Sequence, residues 1–110
     1  MPDRRRIVLR QERDGRDWRN LWAYVDDDGN LHIDGQDLGP RTASVSPDGE
    51  YEWFESISAV DLPRLIEILG GTADTDVLDL LEQRYSGERS YEFERVLSTS
   101  GVPVERFVYY

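Results

Sequence analysis

Apolar positions along this chain change their period near residue 60. Before it they recur mostly every second residue; after it they fall three and four apart. Alternation is the signature of a strand with one covered face, and the 3–4 spacing that of an amphipathic helix. Arg6-Ile7-Val8-Leu9-Arg10 alternates weakly and then meets the turn pair Asp14-Gly15. Leu21-Trp22-Ala23-Tyr24-Val25 is dense in strand formers, Asp26-Asp27-Asp28-Gly29-Asn30 follows, and Leu31-His32-Ile33-Asp34 alternates again. Asp-Gly between two such runs predicts a hairpin, because glycine supplies the positive φ that a tight turn needs. Leu21, Ala23 and Val25 then share a face and meet Leu31 and Ile33 across the ladder. Tyr51 to Ile57 reads as a fourth strand with neither face clean: Glu55 points inward beside Trp53, or Phe54 is exposed.

Past this point the spacing predicts three helices. Leu62, Leu65, Ile66 and Leu69 form one stripe, with Asp61 as cap (Ser58 is the rival), Pro63 in the first turn and Gly70-Gly71 as the stop. A second helix is expected over 76–85, capped by Asp74 or Thr75 and burying Val77, Leu78, Leu81 and Tyr85. Ser90 is the expected cap of a third, from Tyr91 to about Thr99, with Phe93, Val96 and Leu97 inward and Gly101 at its left-handed end. Val102 to Tyr110 reads as a closing strand. The order β-β-β-β-α-α-α-β predicts a single α+β domain over 1–110, a mostly antiparallel sheet with helices on one face. Gly39 to Gly49, with the turn Ser46-Pro47-Asp48-Gly49, is the only linker-like stretch. Residues 1–5 read as a frayed basic terminus.

Charge sharpens the picture. The 110 residues carry a net charge of −10, with no lysine, no cysteine and one histidine. Residues 26–61 hold ten carboxylates and one arginine, a local net charge of −9. The first nineteen residues hold seven arginines against four acids, so the acidity belongs to the body of the fold. Such a body repels phosphate backbones, which are gripped by Lys and Arg, and no nucleic-acid partner is expected. Three Trp, six Tyr and three Phe argue for a packed core. Without cysteine there are no disulfides or thiolate metal sites. The longest aliphatic run near the start, Ile7-Val8-Leu9, is far too short for an export signal or a membrane span, so a cytoplasmic, soluble protein is expected.

Little in the sequence points to catalysis. His32 stands beside Asp34 at i+2, and a His–Asp pair could orient a general base, but no nucleophile signature accompanies it. Aligned as an EF-hand with Gly29 at its sixth position, the Asp26–Asn30 turn puts Tyr24 and Gly35 where the first and twelfth ligands belong, so that site fails. Asp37, Glu50, Glu52 and Glu55 could pair as glycosidase carboxylates, yet no spacing selects a pair. The expectation is a non-enzymatic protein without metal or cofactor. Trp53 should be core, whereas Trp22 falls off the Leu21/Ala23/Val25 face and is, of the three tryptophans, the best candidate for an exposed anchor; the sequence leaves its exposure open.

Gly35-Gln36-Asp37-Leu38-Gly39-Pro40, then Tyr51-Glu52-Trp53-Phe54, then Ser100-Gly101-Val102-Pro103-Val104-Glu105-Arg106-Phe107 stand in an order similar to a broad group of small acidic bacterial proteins. Their pattern runs GQDLG, a YEYW-like strand and a GIPYEF-like terminal strand; here the second reads YEWF and the third lacks its aromatic-rich ending. Some of these proteins resemble immunity proteins of polymorphic or contact-dependent toxin systems. The resemblance implies an inhibitor that neutralises a basic partner, such as a nuclease or deaminase toxin domain, by charge-steered binding. The expected contacts are Asp26, Asp27, Asp28, Asp34, Asp37, Glu50 and Glu52, with Trp22 or Phe54 as aromatic anchor. A non-enzymatic adaptor or structural interaction module unrelated to toxins is the alternative.

Overall fold

In the computed structural model, which describes residues 5–40, 42 and 49–109, five strands run in chain order across one antiparallel sheet. They are β1 (Arg6–Asp14), β2 (Asp17–Val25), β3 (Leu31–Leu38), β4 (Glu50–Ile57) and β5 (Glu105–Tyr109). Between β4 and β5 come α1 (Leu62–Ile68), α2 (Val77–Arg84) and α3 (Arg89–Thr99). The architecture is α+β, as the change of period predicts. The core joins Ile7, Leu9, Leu21, Ala23, Leu31, Ile33, Trp53 and Ile57 of the sheet to Leu65, Leu69, Leu78, Leu81, Phe93 and Leu97 of the helical segment. Every one of these sheet residues lies on one face, so the helices cover that face.

Strands β2 and β3 run further than their strand formers suggest. β2 starts at Asp17, and β3 continues through Gly35-Gln36-Asp37-Leu38 to pair with β2 and β4 along its whole length. A strand with neighbours on both sides is held by two ladders, which override weak intrinsic preference. The Gly-Gln-Asp-Leu-Gly stretch is therefore strand, and both its glycines answer steric demands. Gly35 is the cross-strand partner of Trp53, and a Cβ at 35 would lie 2.0 Å from Trp53 Cε2 and 2.2 Å from Cζ2. Gly39 has φ of 118°, and a Cβ there would meet the Arg16 carbonyl at 2.4 Å. Its N–H donates to Gly49 O at 3.0 Å. Most of the Gly39–Gly49 stretch, including Ser46, Pro47 and Asp48, and the terminal residues 1–4 lie outside the described residues.

Helix starts differ from the predicted ones for local reasons. Asp61 holds the cap position of α1, but its side chain makes no capping bond. Asp76, not Asp74 or Thr75, caps α2, accepting from the Asp79 N–H at 3.0 Å. The Thr75 hydroxyl is already engaged, accepting from the Thr72 N–H at 2.8 Å. Ser90 lies inside α3 rather than capping it. Its buried hydroxyl accepts from Arg10 Nε at 2.9 Å and donates to Gly87 O at 2.6 Å.

That serine belongs to a clasp between α3 and the edge strand β1. A bulge between Val8 and Arg10 turns Leu9 and Arg10 both inward. The Arg10 guanidinium, 3% exposed, pairs with Glu94 and stacks 3.6 Å above the Tyr91 ring. Tyr91 Oη donates to Glu12, and Leu9 O accepts from the Gly87 N–H at 2.7 Å. A buried charge is tolerable only when paired and hydrogen-bonded, which this arrangement provides.

Gly35→Ala should drive the Trp53 indole from its seat and cost about 1–3 kcal/mol, the range for overpacking a filled site. In a Trp53→Ala background the same change should cost much less. Urea unfolding of the four proteins checks this; equal costs in both backgrounds would refute the interlock. Leu81→Ala and Leu65→Ala, each at a fully buried site, should cost about 2–5 kcal/mol, read from the same unfolding curves.

Candidate functional site

Among the described residues no helix covers the sheet's second face. Cross-strand partners share a face, so the register places Val8, Trp22, Asp34, Phe54 and Phe107 in one row across all five strands. The row on one side of it runs Arg6, Tyr24, His32, Ser56, Glu105; that on the other ends in Gln36, Glu52 and Tyr109. The ambiguity of β4 resolves with both awkward residues in place. Phe54 lies on this open face, and Glu55 lies on the helix side opposite Arg106.

The open face is polarised from one edge to the other. Near β1 the arginines lie over the tryptophans: Arg6 is 4.6 Å from the Trp22 ring centroid, and Arg13 is 4.7 Å from that of Trp18. Trp22 is thus half-covered by its own neighbour. Near β5 the aromatics are bare, with Phe107 57% and Tyr109 58% exposed. Phe107 and Tyr109 meet edge to face with centroids 5.0 Å apart, and Phe54 meets Tyr109 the same way at 6.4 Å. The sequence pattern identifies this last strand only as closure. Its signal was the alternation of Glu105, Phe107 and Tyr109 against Val108.

The structure divides the sequence-predicted contacts into separate places. Trp22, Asp34, Glu52 and Phe54 come together on the open face. Asp37 stands on the opposite, helix-facing side, between Arg19 and Tyr51, with Oδ1 buried and without a hydrogen-bond partner. Glu50 is exposed at the start of β4. Asp27 and Asp28 are exposed on the β2–β3 turn. Asp26 is turned inward to that turn. Its Oδ1 accepts from the N–H groups of Asp28 and Asn30 at 2.9 and 3.0 Å, and its Oδ2 accepts from Asn30 Nδ2 at 3.2 Å.

Asp26 is also the histidine's partner, in place of Asp34. His32 Nε2 lies 2.7 Å from Asp26 Oδ2, and the imidazole stacks on Tyr24 with centroids 4.7 Å apart and planes 8° apart. Successive side chains on one face of a strand stand about 6–7 Å apart along it, so i+2 neighbours do not bond readily, whereas the turn folds Asp26 back over the ring. The hydrogen bonds from His32 and from the turn N–H groups hold the Asp26 carboxyl well below the usual carboxylate range. Burial pushes Asp34, Asp37 and Glu55 up, against the opposing pull of Arg6 on Asp34, Arg19 on Asp37 and Arg106 on Glu55. Among the described residues no three His, Asp or Glu side chains are grouped to hold a metal ion.

Charge pairing also distinguishes the two sides. On the helix side Arg5 bridges Asp76, Asp79 and Glu82, Arg10 holds Glu94, and Arg89 holds Glu92. On the open face Asp34, Glu52 and Glu105 make no ion pair or side-chain hydrogen bond among the described residues. Two adjoining depressions, of about 550 and 480 Å³, open at the His32 end of β3 and β4 beside β5 and share His32, Ser56 and Glu105. No protein-family model, no curated protein and no solved structure matches the chain.

Opposite pKa directions predict opposite pH effects. A carboxyl depressed in the fold adds stability above its unfolded pKa, about 3.9 for Asp, and loses it as pH falls below that value. Asp26→Asn should therefore lower the melting temperature at pH 7, with the gap to wild type closing as pH drops below 4. A carboxyl raised in the fold costs stability as pH rises through its unfolded and folded values. Asp37→Asn and Glu55→Gln should accordingly melt no lower than wild type at pH 7 and lose any advantage near pH 4. Melting curves from pH 3 to 8 give the answer.

Proposed function

We propose that this chain is a small acidic binding protein, an immunity- or antitoxin-like inhibitor. It docks the open face of its sheet on a basic protein partner such as a nuclease or deaminase toxin domain. The observation that carries the reading is the pairing asymmetry. Asp76, Asp79, Glu82, Glu92 and Glu94 on the helix side are met by arginines, while Asp34, Glu52 and Glu105 on the open face make no ion pair among the described residues and stand beside uncovered aromatics. An exposed apolar row rimmed by unpaired charge marks a surface built to meet another molecule. Phe54, Phe107 and Tyr109 supply rigid contact area, and Asp34, Glu52 and Glu105 supply a field that attracts a basic surface and repels nucleic acid.

On this reading the chain performs no chemistry. It would inhibit by occupying the basic channel through which the partner grips its substrate. The Asp26–His32–Tyr24 cluster holds the hairpin turn at the margin of the surface. The working compartment is then the cytoplasm, where such a partner would do harm. No helix among the described residues is long and apolar enough to cross a membrane.

The partner to test is the product of a reading frame adjacent to this gene, purified as a catalytically dead domain. Glu52→Arg with Glu105→Arg should slow association, because charges at the rim act on the encounter. Raising salt should do the same as the Debye length contracts from about 10 Å at 0.1 M to about 3 Å at 1 M. Phe54→Ala and Phe107→Ala should instead speed dissociation, with a loss of about 2 kcal/mol or more for a true anchor. Reversing Glu82 on the helix side is the control. Association unchanged by the double reversal and by salt would overturn the reading.

A further inference from the structure

We infer that the cleft beside β5 is an arginine-binding slot that receives a guanidinium side chain of the basic partner. This rests on the docking reading above. The two depressions adjoin where β3, β4 and β5 meet the β4–α1 turn and the segment before β5, and share His32, Ser56 and Glu105. On one side Phe54 and Phe107 offer ring surface. On the other stand Asp61 and Glu105, whose carboxylates make no ion pair or side-chain hydrogen bond among the described residues. Ser56 lies between the two sides.

The Arg106 and His32 side chains at the cleft are turned elsewhere. The Arg106 side chain belongs to the helix-facing side of β5 and donates from Nη2 to Tyr51 Oη at 3.4 Å. His32 directs Nε2 to Asp26 and is held flat on Tyr24. What remains is a set of acceptors beside an aromatic wall. An anion would face two carboxylates, and a purely apolar ligand would bury them without partners, which is costly. A cation on an apolar stem satisfies both sides.

Arginine fits better than lysine. Its planar head presents five donors in a fork that can meet carboxylates in pairs, and it stacks on aromatic rings. Its methylene stem can lie along Phe54 and Phe107 while the head reaches Glu105 and Asp61. Lysine brings a compact, strongly hydrated charge that cannot bridge two acceptors in a plane.

The test needs no partner. N-acetyl-L-argininamide is titrated into the ¹⁵N-labelled protein, followed by amide shifts, beside the lysine analogue and the neutral, nearly isosteric citrulline analogue. Saturable shifts should centre on Ser56, Glu105 and Phe107, weaker with lysine and absent with citrulline. Glu105→Gln and Asp61→Asn, both at the protein surface, should each weaken binding by up to about fivefold, the range for an exposed ion pair. Asp79→Asn should change nothing. Shifts spread equally over Asp27, Asp28 and Asp79, or affinity unaltered in both cleft variants, would overturn the inference. With the partner in hand, one of its arginines should couple to Glu105 in a double-mutant cycle; strict additivity for every arginine would also overturn it. The two proposals fail separately. A silent titration leaves the effect of Phe54→Ala and Phe107→Ala on docking intact, and a partner indifferent to those changes leaves the titration result standing.

Discussion

The seat of Trp53 over Gly35 fixes what the rest of the molecule can be. A sheet's two faces are distinguished only by register, because sliding one strand by a single residue exchanges every side chain between faces. Trp53 is the largest apolar side chain in the sheet's core, and only position 35 leaves room for its ring. Ile33 and Asp37, the neighbouring positions on that side of β3, both carry side chains. The indole therefore keys β4 to β3, and with it the placement of Ile57 and Leu31 under the helices and of Phe54 and Asp34 on the other side.

From that sidedness follows a division of labour between faces. The covered face meets the helices through aliphatic packing and through the Arg10 clasp, which ties α3 to a bulged edge strand. Five carboxylates of this half, Asp76, Asp79, Glu82, Glu94 and Glu92, are answered by Arg5, Arg10 and Arg89. Arg6 and Arg13 reach the open face and spend their charge over Trp22 and Trp18. The opposite margin keeps its negative charge and bare rings.

Much of this was legible in the chain. Period two and period three-to-four separated strands from helices, and the inward residues of each stripe were identified because burial imposes periodicity. What alternation could not settle was β4, where Glu55 and Phe54 both break the pattern; their places depend on Arg106 and Tyr109 in a strand some fifty residues away in sequence, an offset no local rule reports. The histidine's partner was missed for a similar reason, since the turn brings Asp26 to a ring that reads as adjacent to Asp34. Acid-rich sequence also merged residues with different fates: Asp26 serves its own turn, Asp37 faces the helices, and Asp34 and Glu52 face outward. Charge density locates a region, but only the register assigns a side.

The position of β5 has a consequence for how the molecule comes into being. Strands β1 to β4 each pair with the next in the chain, and such hairpins close short loops at small entropic cost. The fifth strand pairs with β4 across everything from residue 58 to 104, a gap that holds the three helices. Phe107, Tyr109 and Glu105 are thus held on the open face by the pairing with the longest loop to close in the sheet. A chain in which β5 is undocked would carry a four-stranded sheet without its aromatic margin. Completion of the surface is in this way a report on completion of the fold.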